Sequence, residues 1–197
     1  MRPTQKTRLS IGIDEAGRGA LAGPVAAAAV VFDAQLAMHP LIQDSKKLSA
    51  VQRDHMFLWI QQHALAIGVG LSSASTVDRI NILQATMLAM SRAVSRLPTA
   101  FQQGPMVIDG NRVPLDLRDR ATAIVQGDRL VPAISAASII AKVTRDRVMC
   151  ALDAKFPVYG FAIHKGYGTQ LHRDAIRDFG PCPSHRMTFS PMRPLTA

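Results

Sequence analysis

Leu9-Ser10-Ile11-Gly12-Ile13-Asp14-Glu15-Ala16-Gly17-Arg18-Gly19, followed after a break by Val25-Ala26-Ala27-Ala28-Ala29-Val30-Val31-Phe32, is the stretch from which the fold is read. Leu9 to Ile13 predicts a short buried strand, and Val25 to Phe32 a second one rich in Ala and Val. Gly17 to Pro24 separates them. Two acids, Asp14 and Glu15, follow the first strand. Neighbours in a regular strand point to opposite faces, so both acids reach one site only if the strand ends or twists between them. Gly17 and Gly19, immediately after, make such a departure available.

Outward from there, Ser49 is a plausible N-cap for a helix through about His63, with Met56, Phe57 and Ile60 on its apolar face. Ala64 to Leu71 predicts a third strand. Ser75 or Thr76 then caps a helical region that runs, with a break near Asn81, to Leu97, where Pro98 stops it. Met106 to Ile108 ends in Asp109-Gly110-Asn111, and Ala121 to Val125 ends in Gln126-Gly127-Asp128; both read as buried strands terminating in an acid and a turn. Pro132 opens a segment of helical composition from Ile134 to Leu152. Phe156 to Gly168, full of Gly and aromatic residues, reads as loop. Thr169 caps a helix to Phe179, and a Pro-rich tail follows. Strands come first and helices accumulate later, which predicts one α/β domain over residues 1–197 with a mixed sheet and a helical C-terminal half.

The 197 residues are 48% hydrophobic and 19% charged, the balance of a packed globule, which excludes a disordered or fibrous chain. Lys and Arg number 23 against 14 Asp and Glu, a net charge of +9 that points to a polyanionic partner. Cys150 and Cys182 form no disulfide framework and no CxxC pair, which suits a reducing cytoplasm. The longest apolar run, Ala20 to Phe32, is interrupted by Gly23-Pro24 and falls short of the roughly 20 residues that span a bilayer. The start, Met1 to Arg8, is basic but no signal-peptide cleavage pattern follows. These features predict a cytoplasmic protein without a membrane segment.

Asp14, Glu15, Asp109 and Asp128 are the acids to weigh together as candidates for chemistry. Strands ending in carboxylates place them along one sheet edge, where they converge, repel and resist desolvation unless a cation compensates; Mg²⁺ or Mn²⁺ fits an all-oxygen site of this kind. The plainer alternative is that each acid begins a turn, as Asp109-Gly110 does readily. Gly17-Arg18-Gly19-Ala20-Leu21-Ala22 satisfies a G-x-G-x-x-A pattern, but a strand follows where a dinucleotide-binding fold needs a long helix. A Walker A loop fails too, because Arg18-Gly19 stands where Lys and Ser or Thr are needed. What remains is a loop whose backbone lets a nucleic-acid sugar or phosphate approach closely. Ser135, Ser138, Lys142 and Arg145 share one helix face, which suits phosphate contacts or, equally, a solvated basic face. Lys46 and Lys47 extend the same surface. Tyr167, between Gly166 and Gly168, offers a ring for stacking on a sugar or base, unless it packs onto its own loop. His164, His172, Cys182 and His185 lack zinc-ligand spacing, and no nucleophile elbow appears.

Taken together, Gly12-Ile13-Asp14-Glu15-Ala16-Gly17-Arg18-Gly19, Asp44-Ser45-Lys46-Lys47-Leu48, Asp109-Gly110-Asn111, Gly127-Asp128, the run from Ile134 to Asp146, and His164-Lys165-Gly166-Tyr167-Gly168-Thr169 resemble bacterial ribonuclease HII in order and spacing over nearly the whole chain. The resemblance implies an RNase H-like fold, a central five-stranded mixed sheet flanked by helices with a helical C-terminal portion. It implies that Asp14, Glu15, Asp109 and Asp128 are the catalytic, metal-binding carboxylates. Arg18, between Gly17 and Gly19, would belong to the loop that senses a ribonucleotide 2′-OH, and Tyr167 would stack on the following deoxyribose. Lys46, Lys47, Ser135, Lys142 and Arg145 complete the expected substrate-binding set. The implied substrates are RNA–DNA hybrids and duplex DNA with embedded ribonucleotides, cut by a monomer through two divalent ions that activate a water and stabilise the leaving 3′-oxygen. Ribonuclease HIII, with an extra N-terminal domain and without the Gly-Arg-Gly motif, matches less well.

Two departures stand out: Ala20 replaces the usual Pro after Gly-Arg-Gly, and Phe161-Ala162-Ile163 lacks the acid and base often found before the His-Lys-Gly-Tyr motif. No sliding-clamp peptide is evident after Phe189, which leaves clamp recruitment open. A non-catalytic nucleic-acid-binding module would account for the charge, but it leaves unexplained four acids that repel phosphate in the absence of metal.

Overall fold

The computed structural model describes residues 9–36 and 38–192, so the basic Met1–Arg8 start and the last residues of the tail scanned for a clamp peptide lie outside the described residues. Five strands, β1 (Leu9–Ala16), β2 (Val25–Asp33), β3 (Ala66–Ser72), β4 (Met106–Asp109) and β5 (Ala121–Ile124), form one sheet in the order β3-β2-β1-β4-β5. β1, β2 and β3 pair antiparallel, while β4 joins β1, and β5 joins β4, in parallel. The sheet is therefore mixed.

The helices among the described residues are α1 (Ala50–His63), α2 (Ala74–Ser95), α3 (Thr99–Gln102), α4 (Gly127–Leu130), α5 (Pro132–Lys155), α6 (Phe161–His164) and α7 (Gln170–Phe179). None is long and apolar enough to cross a membrane. Ser49 caps α1, as expected, and the structure adds a reciprocal box with Gln52. α2 starts earlier than expected, on Ser73, whose Oγ accepts from the Thr76 amide; Ser75 and Thr76 bond to that same hydroxyl instead of capping. The break in α2 falls at Asn81, with a φ of 63°, and Asn81 Oδ1 then caps the second half through the Gln84 amide. The Phe156–Gly168 region is not wholly loop: it holds a 3-10 turn at Pro157–Tyr159 and the single-turn α6.

β2 divides the core. Val25, Ala27, Ala29 and Val31 face α2, while Ala28, Val30 and Phe32 face α1 and α5. Alanine is a poor strand former, and its value here is volume: short side chains let helices settle on both faces of a central strand. A third cluster, with Ala22, Met149, Tyr159, Phe161, Ala175 and Cys182, joins the C-terminal helices to the far half of α5.

β1 carries the same alternation. Ile11 and Ile13 enter the α2-side core, and Gly12 faces the first turn of α5 so closely that a Cβ there would lie 2.1 Å from the Ala133 carbonyl carbon. Backbone, not a movable side chain, blocks that position. Gly12→Ala should therefore destabilise the fold by about 1–3 kcal/mol through forced separation of β1 and α5. A urea-unfolding midpoint equal to that of the unaltered protein would show that the helix does not rest on this strand.

Candidate active site

Parallel register brings the acids together. Ile13 pairs with Ile108, so the next residues, Asp14 and Asp109, stand side by side at the same end of the sheet. Asp128 enters from the first turn of α4, which follows β5, and its amide donates to Asp109 Oδ1 at 3.4 Å. One carboxylate oxygen from each of Asp14, Asp109 and Asp128 lies within 4.8 Å of the others, the one such convergence among the described residues.

Glu15 behaves differently from its expectation. β1 does not end or twist after Ile13; it runs on to Ala16, with Asp14 opposite Ala28 and Glu15 opposite Ala27. Strict alternation sends Glu15 to the other face, where its Oε1 accepts from Arg18 Nη1 at 3.4 Å. Standing near the strand end, it still borders the cleft of about 570 Å³ lined by Asp14, Asp109, Lys46, Lys142, Tyr167 and the Gly17–Gly19 loop.

Burial first, and then the charges of Glu15 and Asp109, push the Asp14 carboxyl well above the usual carboxylate range; the Glu15 amide, donating to Asp14 Oδ1 at 2.7 Å, offsets only part of this. Burial likewise raises Glu15, against the pull of Arg18. Lys46 Nζ donates to Asp128 Oδ2 at 3.2 Å and lies 3.7 Å from Asp44 Oδ1. Burial opposes the Lys46 charge, yet these acids outweigh it and raise its pKa. Asp44 is itself held down: burial would raise it, but the Lys46 amide, Lys46 and Arg129 prevail. Thus a single lysine faces a cluster of buried carboxylates, and the unbalanced charge on an all-oxygen donor set fits a hard divalent cation.

The expected basic face of α5 is mostly inward. Ser135 Oγ donates to Asp128 O at 2.8 Å, Ser138 Oγ donates to Ser135 O at 2.8 Å, and both residues are buried. Arg145 is fully buried and donates to the carbonyls of Pro24, Lys165 and Ala22. Helical spacing places side chains on one face but not that face in solvent; here the sheet and the C-terminal lobe cover it. Of the four, only Lys142 lines the cleft, paired with Asp146 at 2.7 Å and 5.7 Å from the Tyr167 ring centroid. Arg145 reaches the same ring from beneath, at 5.3 Å. Lys47 is exposed beside the cleft, outside its lining.

The Tyr167 loop is secured by groups that carried no recognisable pattern. The Cys182 amide donates to His185 Nδ1 at 2.9 Å, which leaves the proton on His185 Nε2, facing His172 Nε2 at 3.0 Å; His172 Nδ1 then donates to the Tyr167 carbonyl at 3.0 Å. Burial is the main reason the His172 pKa falls to about 4, so that ring is neutral at physiological pH, and burial also lowers His185. Gly166 O accepts from the Leu21 and Ala22 amides, tying the tyrosine loop to the glycine loop.

A mixed five-stranded sheet of RNase H-like fold, with acids converging at the ends of adjacent parallel strands inside a basic protein, defines a metal-dependent nuclease. The comparison with known families makes this specific: residues 11–192 match the family model described as Ribonuclease HII, and the chain belongs to that family, whose activity is on RNA–DNA hybrids. It is 55% identical over 187 residues to a ribonuclease HII of Burkholderia pseudomallei (strain 668), covering 92% of this chain and 83% of that one. To a ribonuclease HII of Xanthomonas campestris pv. campestris (strain 8004) it is 52% identical over 191 residues, covering 97% and 79%. Among solved structures, the ribonuclease HII of the PCNA complex from Archaeoglobus fulgidus superposes with a TM-score of 0.77 at 25% identity, covering 92% of this chain and 95% of that one.

The raised Asp14 pKa has a consequence for stability. A carboxyl whose folded pKa exceeds its unfolded value, about 3.9, stabilises fully below that value and loses this contribution as pH rises through the folded pKa. Asp14→Asn keeps the acceptor for the Glu15 amide and removes the charge. In metal-free protein the substitution should raise the melting temperature by a few degrees at about pH 7.5, with the gain fading towards about pH 4. Thermal unfolding in a chelator at the two pH values is the check; an unchanged or lower melting temperature at the higher one contradicts it.

Proposed function

We propose that the chain hydrolyses the RNA strand of RNA–DNA hybrids and also cuts duplex DNA 5′ of a single embedded ribonucleotide, leaving a 3′-hydroxyl and a 5′-phosphate. The observation that carries this reading is the meeting of the acid cluster, the glycine loop and the Tyr167 ring at one cleft. Asp14, Asp109 and Asp128 hold divalent cations, Mg²⁺ or Mn²⁺, and Glu15 joins them from the other strand face as the fourth catalytic carboxylate. A bound pair of such ions supplies an ionised water for in-line attack on phosphorus and charge stabilisation for the departing 3′-oxygen.

The remaining residues orient the substrate. A Cβ built on Gly19 meets nothing within 4 Å, and Arg18 and Gly19 are exposed at the cleft, so the backbone there is open to a sugar hydroxyl while Gly17 is buried behind it. Tyr167 packs on the deoxyribose that follows and excludes a second 2′-OH there. Lys46, Lys47 and Lys142 take the phosphates. Ser135 and Arg145 act from behind, the first on the Asp128 carbonyl and the second under the tyrosine. A purely nucleic-acid-binding module would have no use for carboxylates buried where phosphate must approach.

Asp128→Asn should abolish cleavage of a labelled hybrid while leaving duplex binding intact, because carboxylates hold the metal and the basic surface holds the phosphates. Ca²⁺ in place of Mg²⁺ should permit binding without appreciable cleavage, since its looser, longer coordination does not meet tight octahedral demands. Comparable rates of either variant or ion with the Mg²⁺-loaded protein would remove the metal-site reading.

Tyr167 tests the junction separately. Tyr167→Phe keeps the ring and should retain much of the activity on a duplex with one ribonucleotide; Tyr167→Ala loses a platform worth about 1–3 kcal/mol in stacked complexes and should be sharply slower. Rates on duplexes carrying none, one or several ribonucleotides decide the matter. If the Ala variant matches the unaltered protein on the single-ribonucleotide duplex, Tyr167 does not read the junction.

A further inference from the structure

Arg186 is one of the two largest fully buried side chains in the protein, the other being Arg145. Its guanidinium donates from Nη2 to Gly17 O at 2.7 Å, from Nη1 to Arg18 O at 2.8 Å, and from Nε and Nη2 to Gly23 O at 3.1 and 3.0 Å. Among the described residues no carboxylate lies within salt-bridge distance of it. The guanidinium carbon also lies 5.3 Å from the Phe189 ring centroid, but burying a cation on carbonyls and one ring face, without a paired acid, is unfavourable beside an apolar side chain of similar volume. Burial, then the nearby charge of Arg145, lowers the Arg186 pKa to about 10, so the group nonetheless stays charged at neutral pH.

The bonding pattern separates a structural tether from something more selective. The segment around Arg186 already fastens the trailing end of the glycine loop through backbone alone: the Gly23 amide donates to Ser184 O at 2.8 Å, the Arg186 amide donates to Leu21 O at 2.9 Å, and Ala22 bridges His185. Only the guanidinium reaches the leading end, Gly17 and Arg18. There Gly17 adopts a φ of 93°, and a Cβ on it would sit 1.9 Å from Arg145 Nε. The amides of Arg18 and Gly19 have no hydrogen-bond acceptor among the described residues, and both residues are exposed at the cleft.

We propose that Arg186 is a positioning residue for ribonucleotide recognition: it draws the Gly17, Arg18 and Gly23 carbonyls inward and so leaves the Arg18 and Gly19 amides turned to the substrate. The inference deepens the reading of the glycine loop given above and rests on it. A uniform hybrid offers a 2′-OH in every register, whereas a single embedded ribonucleotide offers one, so loop precision matters most for the second substrate.

The test compares Arg186→Ala and Arg186→Lys with the unaltered protein on both substrates. Lysine keeps the charge but gathers its donors on one nitrogen and lacks the planar fork that spans the Gly17, Arg18 and Gly23 carbonyls. Ile176→Ala, in the same lobe and away from the loop, serves as a control for lost stability. Both Arg186 variants should lose about 10²-fold in kcat/KM on the single-ribonucleotide duplex and about tenfold or less on the uniform hybrid. Millimolar guanidinium should restore part of the single-ribonucleotide activity of Arg186→Ala, and Ile176→Ala should lower the melting temperature without changing the substrate ratio. Should Arg186→Ala fail to fold, the substrate ratio of Arg186→Lys decides alone. Equal losses on the two substrates, or a ratio shifted as much by Ile176→Ala, would overturn the positioning role while leaving the functional reading intact. An unaltered protein that cuts the hybrid but not the single-ribonucleotide duplex would overturn that reading and the proposal with it.

Discussion

The crowding of Asp14, Asp109 and Asp128, two of them buried and one half-buried, at one end of the sheet is the constraint around which the rest of the molecule is arranged. Carboxylates held this closely repel one another, and two backbone amides with Lys46 on Asp128 relieve only part of that repulsion. Their positions must therefore be imposed by a frame rigid enough to resist the repulsion. The parallel register of β1 with β4 fixes two of them, and the α4 turn, tied by the Ser135 hydroxyl to the first turns of α5, fixes the third. Gly12 lets α5 lie directly against β1, one step from Asp14, so the strand cannot withdraw.

Charge is distributed accordingly. The acids gather at the sheet edge, while two arginines, Arg145 and Arg186, are buried next to the recognition loops on carbonyl oxygens rather than on acids. Pairing either with a carboxylate would cancel its field where the substrate is anionic. With no carboxylate in direct contact and only Asp78 and Asp146 acting from further off, the two cations stand beneath the glycine loop and the Tyr167 loop, opposite in charge to the acids across the cleft.

Much of this arrangement is legible in the chain. The apolar run of β2, the Ser49 box and the acids that close β4 and begin α4 depend on local rules of burial and capping, which short stretches carry in full. Misreadings arise where a side chain's direction depends on distant packing. Gly17 and Gly19 suggested a strand ending before Glu15, yet pairing with β2 continues to Ala16 because Ala26 and Ala27 offer it a partner. Ser135 and Arg145 share a helix face with Lys142, but which part of the face meets water is decided by a lobe folded over it. Arg186 gives no periodic or motif signal at all: its partners are main-chain carbonyls, which every sequence possesses.

That last contact also joins the two ends of the described chain. Arg186 is synthesised 169 residues after Gly17, the carbonyl it holds. β1, β2, β4 and the acids of the cluster all precede Arg186 in the chain, so every part of the acid site is synthesised before the side chain that holds the glycine loop. On the proposed reading, a truncation that spares the sheet but removes Arg186 would keep the acid cluster and lose the side chain that holds the leading end of the glycine loop.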